Sequence, residues 1–288
     1  MPTGCSPACR GLRKLMATVR RQFTILGCAS SPGVPRINGE WGKCDPANPK
    51  NRRTRAAMMV RQIGEDGGMT TVVVDTGPDF RQQMISAQVR EIDAVLYTHA
   101  HADHLHGIDD LRGFALSQRR RVPIFAEPET MRRIRAGFGY CLETPEGSAY
   151  PPIIEARVIE NLDKPVVIDG QGGPIEVLPL RQQHGSIISL GFRFGDFAYC
   201  SDVSDFPRDT VPKLQDLQHI VIDSLQYKPH PSHLSIDQAL WWVEKLGTKH
   251  AILTHMHIPL DYETVLNETP SHVEPAYDGM TIEYEVEL

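Results

Sequence analysis

The chain has 288 residues, of which 41% are hydrophobic and 23% charged, with a formal net charge of −6 at pH 7. A chain of that size can bury a sizeable core in one two-layered domain. It contains no apolar run near the ~20 residues needed to span a bilayer, and its acidic balance argues against nucleic acid as the main partner. Six cysteines, Cys5, Cys9, Cys28, Cys44, Cys141 and Cys200, form no CxxC pair and no dense framework, which fits reduced thiols in a cytoplasmic protein. Residues 1 to 15 are basic, with Arg10, Arg13 and Lys14, and lack an apolar h-region. They read as a disordered or spurious extension, and residues 16 to 288 as a single domain.

In chain order, Phe23 to Leu26 reads as the first strand, followed by a Gly/Pro/Ser turn from Gly27 to Arg36 that either cradles an anion on its N–H groups or simply turns the chain. Residues 37 to 56 form a long polar loop, in which Arg52, Arg53 and Arg55 either orient a phosphate or face water. A hairpin follows, Ala57–Arg61 against Thr71–Asp75, then a helix from about Pro78 to Ala87. Ala94 to Tyr97 is a buried strand that delivers Thr98-His99-Ala100-His101-Ala102-Asp103-His104. Beyond it the pattern gives a helix through Leu116, a strand Val122–Ala126, a helix around Met131–Ala136, and then short strands from Ala156 to Cys200 expected to make a second, mostly antiparallel sheet. Ile220–Asp223 and Ala251–Thr254 are buried strands flanking a helix that opens on the capping box Ser235-Ile236-Asp237-Gln238.

Three histidines and an aspartate within six residues, directly after a buried strand, point to a metal site. Alternate residues of an extended segment face opposite sides, whereas a tight turn lets side chains converge. His99 and His101 can thus grip one ion while Asp103 and His104 turn toward a second.

This H-x-H-x-D-H loop resembles the signature of the metallo-β-lactamase superfamily, and the later landmarks occur in order: His184 in Gln182-Gln183-His184-Gly185, Asp202 after Tyr199-Cys200-Ser201, and His255 after Ile252-Leu253-Thr254. The resemblance implies an α/β fold, the metallo-β-lactamase αββα four-layer sandwich, over most of the chain. It also implies two divalent metal ions (Zn or Mn), with His99, His101 and His184 on one, Asp103, His104 and His255 on the other, and Asp202 bridging. A buried supporting aspartate falls at Asp75. The expected chemistry is hydrolysis through a metal-bridging hydroxide.

Within the superfamily the chain is similar to the phosphoribosyl cyclic phosphate phosphodiesterases of bacterial carbon–phosphorus lyase pathways. The segments that carry this likeness are Gly27–Pro35, Ile252-Leu253-Thr254-His255 with Leu260-Asp261, and Tyr277-Asp278-Gly279-Met280-Thr281-Ile282. It implies a small phosphodiester substrate and a catalytic histidine at His233, protonating the leaving alkoxide or steadying the transition-state charge beside Asp103 and the other ligands. That family's extra structural zinc is not expected, because only Cys44 stands in the early loop and Ile258 replaces a histidine. Competing readings are a transfer-RNA 3′-processing endonuclease, which should carry a basic Gly/Pro-rich arm, and a thiolester hydrolase or lactonase, which should show Gly-Gly where His106-Gly107 stands. A metal-bearing carrier of cofactor biosynthesis, similar to the pyrroloquinoline quinone pathway member, is the non-enzymatic alternative. Whether the protein forms a homodimer is left open.

Overall fold

The computed structural model describes residues 18–287, so the expectation for residues 1 to 15 lies outside the described residues. The first sheet is built from β1 (Thr18–Gly27), β2 (Ala57–Ile63), β3 (Met69–Val74), β4 (Ala94–Leu96), β5 (Val122–Ala126), β6 (Ile154–Val158) and, from the far end of the chain, β14 (Thr281–Glu287), in the order β14-β1-β2-β3-β4-β5-β6. The second contains β7 (Val166–Ile168), β8 (Ile175–His184), β9 (Ile187–Phe194), β10 (Phe197–Cys200), β11 (His219–Asp223), β12 (His250–Thr254) and β13 (Val273–Pro275), ordered β13-β12-β11-β10-β9-β8-β7. Six helices complete the order: α1 (Phe80–Ser86), α2 (Ala102–Leu105), α3 (Leu111–Gln118), α4 (Pro128–Leu142), α5 (Ile236–Leu246) and α6 (Tyr262–Glu268).

The two-residue period of a strand decides which residues meet which layer. Met58, Val60, Val72, Val74 and Leu96 face the second sheet and join Ile175, Val177, Phe192, Phe194, Phe197 and Ile222 in one core. Their sequence neighbours Ala57, Met59, Val73 and Val95 face outward and are covered by Phe80 and Met84 of α1, Leu111 of α3, and Met131 and Ile134 of α4. On the other side Ile236, Ala239, Trp242, Val243 and Leu246 of α5 pack against the second sheet. Helix, sheet, sheet and helix are therefore stacked as four layers, the αββα arrangement.

The second sheet is antiparallel, as expected, through the strands that end at Cys200 and parallel beyond them. β7 to β10 pair antiparallel, but β10, β11, β12 and β13 run parallel. α5 lies between β11 and β12 and α6 between β12 and β13, and a helical crossover returns the chain in the same direction. The run expected from Ala156 to Ile159 is β6, which joins the first sheet parallel to β5 because α4 carries the chain across in the same way.

The polar loop 37–56 is more enclosed than its composition suggests. Arg53 is 2% exposed and donates to Asn51 Oδ1 (3.0 Å), Arg55 pairs with Asp79 (2.9 Å), and Arg52 stacks on Trp41. Cys44 packs with Val34 and Ile258, its thiol 3.5 Å from the Ile258 carbonyl and 3.3 Å from that of Leu260. The four described cysteines are buried and free. Among the described residues no helix is long and apolar enough to cross a membrane.

Candidate metal centre

Every residue of the cluster comes from a strand end or the turn beyond it. His99 and His101 follow β4, Asp103 and His104 sit on the short α2, His184 ends β8, Asp202 follows β10 and His255 follows β12. Three of the residues that bend the chain there have left-handed backbones: Asp75 (φ 67°), Asp202 (φ 54°) and His255 (φ 58°). Each non-glycine residue in that region costs about 1–2 kcal/mol, strain that the surrounding hydrogen bonds must hold in place.

Asp202 stands at the middle. Its Oδ1 lies 4.0 Å from His99 Nε2 and 3.7 Å from His184 Nε2, while its Oδ2 lies 3.0 Å from His104 Nε2 and 3.1 Å from His255 Nδ1. The two oxygens of one carboxylate thus address two different sets of imidazoles. His101 Nδ1 is 3.4 Å from His184 Nε2 and Asp103 Oδ2 is 3.3 Å from His104 Nε2, so each outer member joins one of the two sets.

The supporting hydrogen bonds say which atoms are left over. Asp75, fully buried, accepts from the Thr98 N–H (2.8 Å), the Thr98 hydroxyl (2.8 Å) and His104 Nδ1 (2.7 Å). Because the single Thr98 hydroxyl proton goes to Asp75, Thr98 Oγ1 accepts from His99 Nδ1 (2.9 Å), and His99 Nε2 is left with its lone pair facing inward. His184 Nδ1 lies 2.7 Å from the carbonyl of Ser232, which can only accept, so His184 Nε2 is likewise a lone-pair donor. Buried His99 Nε2, His104 Nε2 and His255 Nδ1 have no hydrogen-bond partner, although carboxylate oxygens stand close to each.

A buried assembly of inward-facing acceptors is costly unless positive charge sits among them. Burial holds His99 well below the ordinary imidazole range and pushes His255 down to about 3, so neither supplies that charge as a proton. Burial also opposes a proton on His104, but Asp202, Asp103 and Asp75 together raise it well above the ordinary value. One proton cannot balance three carboxylates. Divalent cations would, and the all-nitrogen-and-oxygen donor set without thiolate suits Zn²⁺, Mn²⁺ or Fe²⁺. The groups His99/His101/His184 and His99/His104/Asp202 each bring ligand atoms within 4.8 Å of one another. The residues present fit the metals that the sequence implies.

His233 stands beside this cluster, its ring 4.8 Å from that of His184 and 4.7 Å from that of His255. Its position is set from behind: Leu234 N–H donates to the Val203 carbonyl, Ser235 caps α5 in a complete capping box, and His233 Nδ1 is 2.7 Å from Asp223 Oδ2. Asp223 Oδ2 also accepts from the Val203 N–H (3.0 Å). Burial opposes a charged His233, but the Asp223 carboxylate outweighs it and holds the imidazole above its ordinary range. Nδ1 is committed to Asp223, so Nε2 is the nitrogen free for a ligand or a proton. His233 also falls within 4.8 Å of His184 and Asp202 as a third candidate ligand group.

Sequence reading did not find Asp223 as the partner of His233. The signal was present: Ile220-Val221-Ile222-Asp223 ends on a carboxylate just as Val72-Val73-Val74-Asp75 does, each at the site end of a buried strand.

The metal loop is held against β3 by two glycines. A Cβ on Gly77 would lie 2.0 Å from the Asp103 carbonyl, and one on Gly107 would lie 2.2 Å from the Gly77 carbonyl. Backbone cannot yield as a flexible side chain can, so Gly77→Ala should push α2 away from the cluster. We expect that variant to bind less metal and to lose at least tenfold in hydrolytic rate. Unchanged metal content and rate would show that α2 moves without disturbing Asp103 and His104.

Comparison with known proteins places this geometry. A family model described as "Beta-lactamase superfamily domain" matches residues 70–256. The solved structure of a diphosphatase from the PhnP family is 32% identical, covers 94% of this chain and 100% of that one, and superposes with a TM-score of 0.83. Zinc-bound PqqB from Methylobacterium extorquens, 16% identical with a TM-score of 0.66, covers 91% of this chain and 99% of its own and shares the fold. An octanoyltransferase from Porphyromonas gingivalis (strain ATCC BAA-308 / W83) is 32% identical over 261 residues, 89% of this chain but 50% of that protein. The chain thus spans about half the length of this curated relative.

Proposed function

The chain belongs to the beta-lactamase superfamily and within it to the PhnP family, a metal-dependent hydrolase fold, and from that premise we propose that it hydrolyses small phosphodiesters, best of all a cyclic ribose phosphate. The observation that carries the reading is His233, backed by Asp223 and standing beside the cluster. A hydrolase of easily departing groups has little need of a separate proton donor, whereas a sugar alkoxide is a poor leaving group. Full-length likeness to a diphosphatase at 32% identity supports hydrolysis at phosphorus, though a diphosphate is an anhydride and not a cyclic sugar diester.

In this reading His99, His101 and His184 would hold one divalent ion and Asp103, His104 and His255 a second, and Asp202, with one oxygen toward each set, would serve both. When bound, such a pair supplies Lewis acidity and lowers the pKa of water at the site toward neutrality. The chain's own residues do the rest. Asp75 and Thr98 fix the rings of His104 and His99, and the Ser232 carbonyl fixes His184. Asp223 orients His233 and favours its protonated form, ready to give the Nε2 proton to the departing oxygen. His99, His104, His184, Asp202 and His255 are buried while His101 is exposed at the mouth of the site, so charges on the inner side are screened less than in water.

The octanoyl transfer named for the curated relative belongs to a protein twice as long, and it supplies a competing substrate for the test. Purified, metal-loaded protein is expected to turn over bis-p-nitrophenyl phosphate and a cyclic ribose phosphate, and to leave precursor transfer RNA and an octanoyl thioester intact. Specific 3′ cleavage of a precursor transfer RNA, or thioester hydrolysis without any phosphodiester turnover, would refute the assignment. No turnover with two metals in place would favour a carrier role.

A further inference from the structure

The helices over the outer face of the first sheet leave part of their own apolar surface uncovered. α1 and α3 meet there, with the rings of Phe80 and Phe114 6.4 Å apart, and between them runs a groove of about 750 Å³. Its floor is Phe80, Met84, Val89 and Phe114, which belong to the core under these helices or pack against it. Over that floor stand two large aliphatic side chains, one from each helix: Ile85 is 55% exposed and Leu116 59%. An aliphatic side chain exposed alone needs no explanation, but two along one apolar groove make a patch of the kind that marks an interaction site.

Two further features indicate what the groove receives. Gly113 lines it from α3, and a Cβ there would meet nothing within 4 Å. Glycine weakens a helix interior relative to alanine, and no contact among the described residues requires it, so α3 offers bare backbone to an approaching surface. The charges are also sorted. Exposed Arg81 and Arg90 stand on the α1 side and exposed Asp110 opens α3; none of the three has a salt bridge among the described residues, whereas Arg112 is already paired with Asp109 (2.7 Å).

A face with both signs flanking an apolar middle is self-complementary, the requirement for contact about a two-fold axis. Turned about such an axis, α1 of one copy meets α3 of the other, so Ile85 packs on the partner's Leu116 and Arg81 and Arg90 face the partner's Asp110. A surface of one charge sign would match one wall and repel the other. The groove also lies behind the metal loop. A Cβ on Gly107, between His104 and α3, would lie 3.0 Å from Phe80 Cβ, so α1 abuts the turn that leads from Asp103 and His104 into α3. We propose that this groove is the interface with a second copy of the chain, and that each copy, by filling the other's groove, braces the α1–α3 pair behind its metal loop.

Sedimentation of the metal-loaded chain over about 1 to 100 µM should show a monomer–dimer equilibrium. Ile85→Glu sets a charge in the apolar middle and should raise the dimer Kd at least about 100-fold. Arg81→Glu and Asp110→Arg should each weaken association about 10-fold, and the double variant, which again opposes unlike charges across the axis, should recover most of the loss. Recovery in the double variant excludes misfolding as the cause. Bracing has its own readout: at equal chain concentration, Ile85→Glu should surrender metal to a chelator several-fold faster than wild type, and wild type should approach that rate on dilution. Wild type that stays monomeric throughout the range would overturn the interface. A dimer indifferent to Ile85→Glu and to the charge exchange would overturn it too, because association would then use another face. Equal metal release from monomer and dimer would overturn the bracing.

Discussion

Asp202→Ala is expected to lower bound metal from about two ions per chain to one or fewer and to reduce phosphodiester turnover by more than 10²-fold. The expectation follows from one carboxylate facing two sets of imidazoles, with Oδ1 toward His99 and His184 and Oδ2 toward His104 and His255. Removing an outer partner of a metal ligand typically costs 10- to 100-fold in affinity or activity, and removal of a shared ligand must exceed that. Stability supplies a second readout. Metal binding stabilises the folded chain by mass action, so chelation should lower the thermal midpoint of wild type and shift Asp202→Ala much less. Elemental analysis and melting curves with and without chelator check both. Two ions retained in the variant, or a single ion in metal-replete wild type, would refute Asp202 as a shared ligand.

Much of this site was legible because its residues obey strong local rules. The H-x-H-x-D-H spacing after an apolar run marks His99, His101, Asp103 and His104 by local pattern, whereas His184, Asp202 and His255 were reached through the resemblance to the metallo-β-lactamase superfamily. Strand parity was not readable along β2: Met58 and Val60 enter one core and Ala57 and Met59 the other, but the run is apolar on both faces. What sequence could not supply was pairing between distant elements. The strand ending on Asp223 marks that carboxylate as a site candidate but not its partner His233, ten residues on, because their contact depends on Leu234 pairing with Val203 across the strand ends. The last crossover of the second sheet, α6 to β13, was missed for a related reason. α6 and β13 are short, at seven and three residues, and carry too little periodicity to reveal that the chain crosses over again after β12.

The loop 37–56 shows how composition alone misleads. Its polar character suggested side chains in water or waiting for phosphate, yet Arg53 is buried and Asn51 donates to Asp261 Oδ2 and accepts from the Tyr262 N–H. Those bonds tie the loop to the N-terminus of α6, so its arginines serve mainly to hold the loop.

His233→Ala should separate leaving-group chemistry from metal chemistry. Departure of a sugar alkoxide, whose conjugate acid is very weak, calls for a general acid, whereas p-nitrophenolate leaves readily as an anion. The variant should therefore lose the ~10² to 10⁴ typical of general acid catalysis on a cyclic ribose phosphate while largely sparing bis-p-nitrophenyl phosphate. Metal content should remain that of wild type, because His184 and Asp202 keep their own supports in the Ser232 carbonyl and the Ser201 hydroxyl. Asp223→Asn tests the same role from behind. An amide can still meet His233 Nδ1 but no longer favours the protonated ring, so it should reproduce a large part of the loss on the poor leaving group and little of it on the good one. The alternatives leave different marks. His233 brings a ring nitrogen within 4.8 Å of His184 and Asp202, and if it were itself a ligand, His233→Ala would release metal and depress both substrates together. Equal loss on both with metal retained would instead assign it to transition-state charge or substrate positioning, and in neither case would the acid assignment survive.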